Sequence, residues 1–208
     1  METINVASYY TPNRMQKYLH SSDAEYQCAW GGADSGKSWW AINEGLFLSH
    51  DFPNNEGIVL RFSYRELKDY SIPKYIEFAQ KMGIYIDYRA GDDELWVRSS
   101  NPDIKSVIKF RSIKESGAKQ VQSSKFGSTE IGWFHIEEAQ DPRIKETVWH
   151  MLVKRMRRKD NMPILPFYRG MITCNPPTPD HWVYRLFWHL IDMERNKENS
   201  EDVKVGRN

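Results

Sequence analysis

Residues 31–38 read GGADSGKS, a Gly31-x-x-x-x-Gly36-Lys37-Ser38 pattern that decides how the rest of the chain is read. Such a loop lets the backbone N–H groups of Gly31, Gly32, Ala33, Asp34, Ser35 and Gly36 wrap a β-phosphate. It sets the Lys37 ammonium beside the β and γ oxygens and aims the Ser38 hydroxyl at Mg²⁺. The pattern needs a strand before it and a helix after it. YQCAW (26–30) has the apolar character of a short strand, and KSWWAINEGLFLS (37–49) reads as the helix, whose positive end adds to phosphate binding. ATP and Mg²⁺ are therefore the expected cofactors.

A nucleotide site of this kind needs a second half, an acidic pair closing another apolar strand. IGWFHI (131–136) followed by Glu137 and Glu138 fits. Glu137 would hold Mg²⁺ through a water, although aspartate is usual there. Glu138 would orient and deprotonate the attacking water, the role of a carboxylate when hydrolysis rather than transfer is the reaction. FYRGMIT (167–173) reads as a further strand, and Thr173-Cys174-Asn175-Pro176 ends it at the carboxyl edge of the sheet, where ligands bind in open α/β folds. Thr173 or Asn175 can there sense the γ-phosphate and relay its loss, or the Asn-Pro turn is structural.

Gln16 lies upstream of the loop, where a carboxamide can read an adenine edge, or can simply sit on a helix surface. Arg61, Arg143, Arg155, Arg157 and Arg158 are all candidates for compensating transition-state charge, from this chain or a neighbour. Trp39-Trp40, Trp133, Trp149, Trp182 and Trp188 sit on elements that read as core-facing, so packing is their expected use. Trp39, beside the loop, is also a candidate nucleotide contact. The six histidines offer no metal-ligand spacing and no Ser-His-Asp set, and no catalytic role is assigned to them.

The remaining segments complete an α/β pattern. GIVLRFS (57–63) is a strand, 64–82 a helix that Pro73 bends or interrupts, and 84–88, 94–98 and 106–111 short strands forming a partly antiparallel edge. A loop is expected over 112–128 and helices over 144–158 and 180–193. The first 25 residues read as a short helical segment ahead of the core, and 194–208 as a polar tail.

Composition agrees with one main domain. The chain has 208 residues, 40% hydrophobic and 27% charged, with a formal net charge of +1, so whole-chain charge gives no argument for nucleic acid. The basic run KRMRRK (154–159) is the densest local patch, reads as a basic stretch of helix, and is where a local contact with DNA is expected. There is no apolar run of the roughly 18 residues needed to span a bilayer, and no signal peptide, which predicts a cytoplasmic protein. Cys28 and Cys174 lie in apolar contexts and read as reduced core residues.

In the order of these segments the chain resembles the ATPase domain of the large terminase subunit, the DNA-packaging motor of tailed double-stranded DNA bacteriophages. The features that carry the likeness are GGADSGKS followed by aromatics, Ile58 to Arg61 leading into Leu67-Lys68-Asp69, Ile108 to Phe110, Ile136-Glu137-Glu138-Ala139, Lys154 to Arg157, and Thr173 to Pro176 with Trp182 downstream. The resemblance implies an α/β P-loop NTPase of the ASCE type, with a mainly parallel twisted sheet flanked by helices. It implies hydrolysis of ATP coupled to translocation of viral double-stranded DNA into a procapsid in the host cytoplasm. Lys37 and Ser38 would act on phosphate and magnesium, Glu138 would be catalytic, and Asn175 would fall in the coupling motif. Implied partners are double-stranded DNA, the portal protein and the small terminase subunit, in a homo-oligomeric ring whose lone domains are often monomers. With residues 1–193 as the motor and 194–208 leading towards a nuclease domain beyond this chain, no DNA cleavage is expected. The alternatives are another helicase-like nucleic-acid translocase, a small-molecule P-loop kinase and a module that holds ATP without turning it over. The kinase would need an arginine-rich lid and no water-activating glutamate.

Overall fold

A computed structural model of the chain describes residues 9–113, 130–157 and 168–187. In chain order the elements are α1 (Arg14–Ser21), β1 (Tyr26–Trp30), α2 (Lys37–Asp51), β2 (Glu56–Arg61), α3 (Tyr64–Glu66), a π-helical turn (Leu67–Ser71) and α4 (Ile72–Lys81). There follow β3 (Ile86–Arg89), β4 (Glu94–Arg98), β5 (Lys105–Ser112), β6 (Trp133–Glu137), α5 (Glu146–Val153) and β7 (Arg169–Cys174), then α6 over 182–187. The strands form one sheet in the order β1-β7-β6-β2-β5-β4-β3. β1 through β5 pair in parallel, and β4 and β3 extend the far edge antiparallel. The strand that carries Thr173, β7, thus lies between the strand that leads into the GGADSGKS loop and the strand that ends at the acidic pair.

Helices cover both faces of the parallel part, which is why its strands read as continuous apolar runs. β2 is buried at every residue except the last. Its Val59 faces a core shared with Trp40, Leu46, Tyr75 and Phe78 of α2 and α4. Its Ile58 and Leu60 face a second core with Val148, Trp149 and Leu152 of α5 and Val183 of α6. β4 and β5 instead alternate buried and half-exposed residues, as strands with one solvated face do. At the centre, the Trp133 indole, fully buried, lies across Gly57 of β2 and under Gly45 of α2. A Cβ at Gly57 would fall 2.0 Å from Trp133 Cε2, so the close approach of the ring requires glycine there.

Two expected helices change shape. The helix over 64–82 is interrupted before Pro73 rather than at it. Pro73 cannot donate a backbone hydrogen bond, and the preceding five residues widen into a π turn in which Ile72 N–H reaches back to Leu67 O. The helix expected to run to Arg158 ends at Val153. There Met156 forms a parallel bridge with Ile131, and Arg155 O accepts from Ile131 N–H. Tertiary pairing draws the chain into an extended segment, so Lys154, Arg155 and Arg157 do not form a helix face. The tail over 194–208, most of the 112–128 loop, Arg158 and Trp188 lie outside the described residues. Cys28 and Cys174 are free and sit on neighbouring strands. The Cys28 thiol is pushed up by its hydrogen bond with Cys174 and then by burial.

Candidate active site

The GGADSGKS loop closes over the start of α2 in a conformation its residues dictate. Gly36 takes φ +85° at the helix N-cap, and Asp34 also has positive φ. With no side chain at Gly36 there is no side-chain cap, so the first amides of α2 are open to an anion. Lys37 Nζ donates to Gly31 O at 2.9 Å, Gly32 O at 2.8 Å and Asn175 Oδ1 at 3.4 Å. The loop lysine and the polar end of β7 therefore meet.

Gln16 meets the loop from behind. Its carboxamide oxygen accepts from Asn13 N–H in a reciprocal capping box, and its Nε2 donates to Gly36 O at 2.7 Å. Asn13 Nδ2 also donates to Ser35 O at 3.3 Å. Both polar ends of Gln16 are thus engaged in bracing the loop from α1, and reading an adenine edge would require those contacts to be given up. Trp39 departs from the core-facing expectation: Trp40 is fully buried, whereas Trp39 is 46% exposed beside the loop, its ring edge-to-face with Phe78 at 4.5 Å. Gln16, Asp34 to Trp39 and Lys74 line one cavity of about 380 Å³.

A second cavity, of about 310 Å³, is lined by residues that include Lys37, Ser38, Arg61, Glu137, Glu138, Thr173 and Asn175. The strand ends of β2, β6 and β7 and the start of α2 all contribute. Glu137 is the last residue of β6 and is buried. Glu138, one residue on, has φ +50°, a region L residues seldom occupy, at a cost of about 1–3 kcal/mol; such strain gathers at active sites. Arg61, at the end of β2, ties the pair together: its NH2 donates to Glu138 Oε1 at 2.6 Å and its NH1 to Glu137 Oε2 at 3.3 Å. The Ser71 hydroxyl also donates to Glu137. Burial raises the Glu137 carboxyl above its ordinary range, and Ser71 and Arg61 pull against that shift.

Of the arginine candidates, Arg61 alone reaches the acidic pair among the described residues. Arg143 sits over the Phe62 ring at 3.9 Å and is engaged by Asp141. Arg155 and Arg157 lie beside Ile131, ahead of β6, whereas the cavity lies at the opposite end of that strand. Six residues of extended chain are about 20 Å, so neither reaches this cavity within one chain. The reason is the bridge between Met156 and Ile131 described above.

Several residues of the site were not legible as such. The π turn delivers Tyr70 and Ser71 to the cavity, with Lys74 one turn on; the one signal was a proline inside a helical pattern. His135, given no role from spacing, is fully buried behind the acidic pair, between Tyr75 and Thr173. Burial first, and the Arg61 charge second, hold its pKa down at about 3.

The residues present suit a magnesium nucleotide. Mg²⁺ takes one or two protein oxygens together with phosphates and waters, and the Ser38 hydroxyl and Glu137 carboxylate share the cavity. A cation there would also relieve the cost of burying the Glu137 charge.

A sequence-family model described as phage terminase large subunit matches residues 23–208. No curated protein matches in sequence. Similar solved structures include the large terminase ATPase domain of Thermus phage P74-26, with TM-score 0.63 and 19% identity over 86% of this chain and 70% of that one. The large terminase of a thermophilic bacteriophage in complex with ADP is similar at TM-score 0.63 and 14% identity, over 86% of this chain and 42% of that one. The HK97 bacteriophage large terminase is similar at TM-score 0.62 and 9% identity, over 89% and 38%. At these identities the likeness bears on the fold, and this chain spans less than half the length of the latter two proteins.

Proposed function

Because the chain belongs to the phage terminase large subunit family, we propose that it hydrolyses ATP to drive viral double-stranded DNA into a procapsid. The observation that carries the hydrolytic part is the convergence of Lys37, Ser38, Glu137, Glu138 and Asn175 on one cavity. The loop amides and Lys37 bind the phosphates, and Ser38 and Glu137 hold Mg²⁺, which when bound neutralises charge on the phosphate oxygens. Glu138 is the general base. Its Oε1 accepts a hydrogen bond from Arg61, which leaves Oε2 to take a proton from water. Arg61 supplies positive charge in cis. Thr173 and Asn175 report the state of the phosphates to the rest of the fold, Asn175 through its contact with Lys37.

The coupled activity is read from the family. Double-stranded DNA, the portal protein and the small terminase subunit are the proposed partners, with copies of this chain forming a ring at the portal in the host cytoplasm. ADP and ATP-γ-S in structures of the thermophilic bacteriophage's large terminase support nucleotide binding at this kind of site.

The test is ATP turnover and binding of ATP-γ-S by wild type, Lys37→Ala and Glu138→Gln, with and without double-stranded DNA. Lys37→Ala should lose nucleotide binding. Glu138→Gln should bind as wild type does and turn over about 10²–10⁴-fold more slowly. Wild-type turnover by Glu138→Gln would remove the general-base assignment.

A further inference from the structure

Behind the cavity floor a chain of three polar side chains runs from α4 through β6 to β7. β6 directs Trp133 to the α2 and α4 side, and His135 and Glu137, at alternate positions, point the same way. The imidazole is fully buried. Its Nδ1 lies 3.2 Å from the Tyr75 hydroxyl and its Nε2 2.9 Å from Thr173 Oγ1. Both partners are hydroxyls, so the ring has no bonded carboxylate to stabilise a positive charge, and it is neutral with a single N–H. The position of that hydrogen follows from Tyr75. The phenol is fully buried, and among the described residues His135 is the one hydrogen-bond partner of its oxygen. A buried O–H that donates to nothing is costly, so Tyr75 donates to Nδ1. The imidazole hydrogen then resides on Nε2, which donates to Thr173 Oγ1.

Thr173 thus has its acceptor side occupied and its own hydrogen free to point elsewhere. It is paired in register with Glu137 and lines the cavity with Lys37, Ser38 and Asn175. In the opposite tautomer, Thr173 would have to donate to Nε2 and would offer only lone pairs to the cavity, which repel an anion.

We propose that Tyr75 and His135 form a buried positioning relay that fixes the Thr173 hydroxyl as a hydrogen-bond donor to a phosphate oxygen of the bound nucleotide. The acceptor rests on the ATP-hydrolysing reading above, whereas the relay itself rests on the three side chains. Among the described residues, the imidazole is the hydrogen-bonded link between Tyr75 and Thr173.

Two measurements on the full chain test this. The first is the ¹⁵N spectrum of the histidine rings, with His135 identified by the signals that shift in Tyr75→Phe, a variant that keeps the ring and removes the hydroxyl. The relay requires an unprotonated Nδ1 and a protonated Nε2 in wild type; a protonated Nδ1 would overturn it. The second is a double-mutant cycle in kcat/KM for ATP. Tyr75→Phe and Thr173→Val should each lower it about 3- to 10-fold, as loss of one oriented hydrogen bond does. The double variant should be no slower than the slower single one, and Thr173→Ser should restore the rate. Multiplicative losses, or a Tyr75→Phe variant at the wild-type rate, would refute the relay. Because the tautomer is read without turnover, a wild-type rate in Thr173→Val would count against the phosphate-facing role of Thr173 and leave the relay judged by its spectrum.

Discussion

Replacing Arg61 by Met keeps most of the aliphatic stem and removes the guanidinium, and the structure indicates how large the loss should be. Arg61 is 13% exposed and Glu137 7%, so their pair is nearly dry, while Glu138 and Glu66, the other two partners, are 54% and 40% exposed. Exposed pairs contribute about 0–1 kcal/mol each. Removing one partner of a buried pair costs about 3–5 kcal/mol, because the other charge is left uncompensated. Ser71 remains to stabilise Glu137, so the low end, about 3 kcal/mol, is the expected loss. In a chain of this size that corresponds to about 6–12 °C in Tm. Its pH dependence identifies its cause. Burial raises the Glu137 carboxyl pKa and Arg61 is among the groups that lower it, so without Arg61 it rises further. The stabilisation from Arg61 is complete at pH values where Glu137 is ionised in both proteins. It shrinks as pH falls through the pKa of the variant and vanishes where both carboxyls are protonated. Urea denaturation of wild type and Arg61→Met from pH 8 to pH 4.5, in EDTA to exclude metal, measures it. An equal deficit at both ends of that range would refute the charge-pairing argument and attribute the loss to packing.

Two further outcomes follow from contacts around the phosphate loop and the core. Gln16→Ala should weaken ATP and GTP binding alike, by about 2- to 10-fold through loss of the Gly36 contact; a loss confined to ATP in equilibrium binding would restore the adenine-reading role. Gly57→Ala should destabilise the fold by about 3 kcal/mol, the upper end for overpacking, because the Trp133 ring that the new Cβ would meet is fully buried, is also packed against Gly45 and donates to the Ser49 hydroxyl. Chemical denaturation checks this, and Trp133→Phe in the same chain should recover part of the loss.

The elements most legible in sequence were those whose information is local. YQCAW, GGADSGKS and the helix after them announce strand, loop and helix by residue type and spacing alone, and the structure has them at those positions. Glu137 and Glu138 were legible as the end of an apolar strand, and Thr173 and Asn175 as the end of another. That β7 inserts between β1 and β6, bringing these ends to one cavity, rests on the sheet order.

What the sequence by itself determined is therefore the inventory: an α/β chain with a phosphate loop, an acidic strand end and a polar strand end, in an order that marks its family. Tertiary structure alone decided which side chains complete the site. Arg61 reaches Glu137 across 76 residues of chain, and Gln16 reaches Gly36 across 20. Met156 pairs with Ile131 and so removes Arg155 and Arg157 from the cavity, and His135 meets hydroxyls from two other elements. Each of these depends on strand register or on how a helix docks. Periodicity fixes the face a residue occupies within its own element, but the partner that face meets is set by packing between elements distant in the chain.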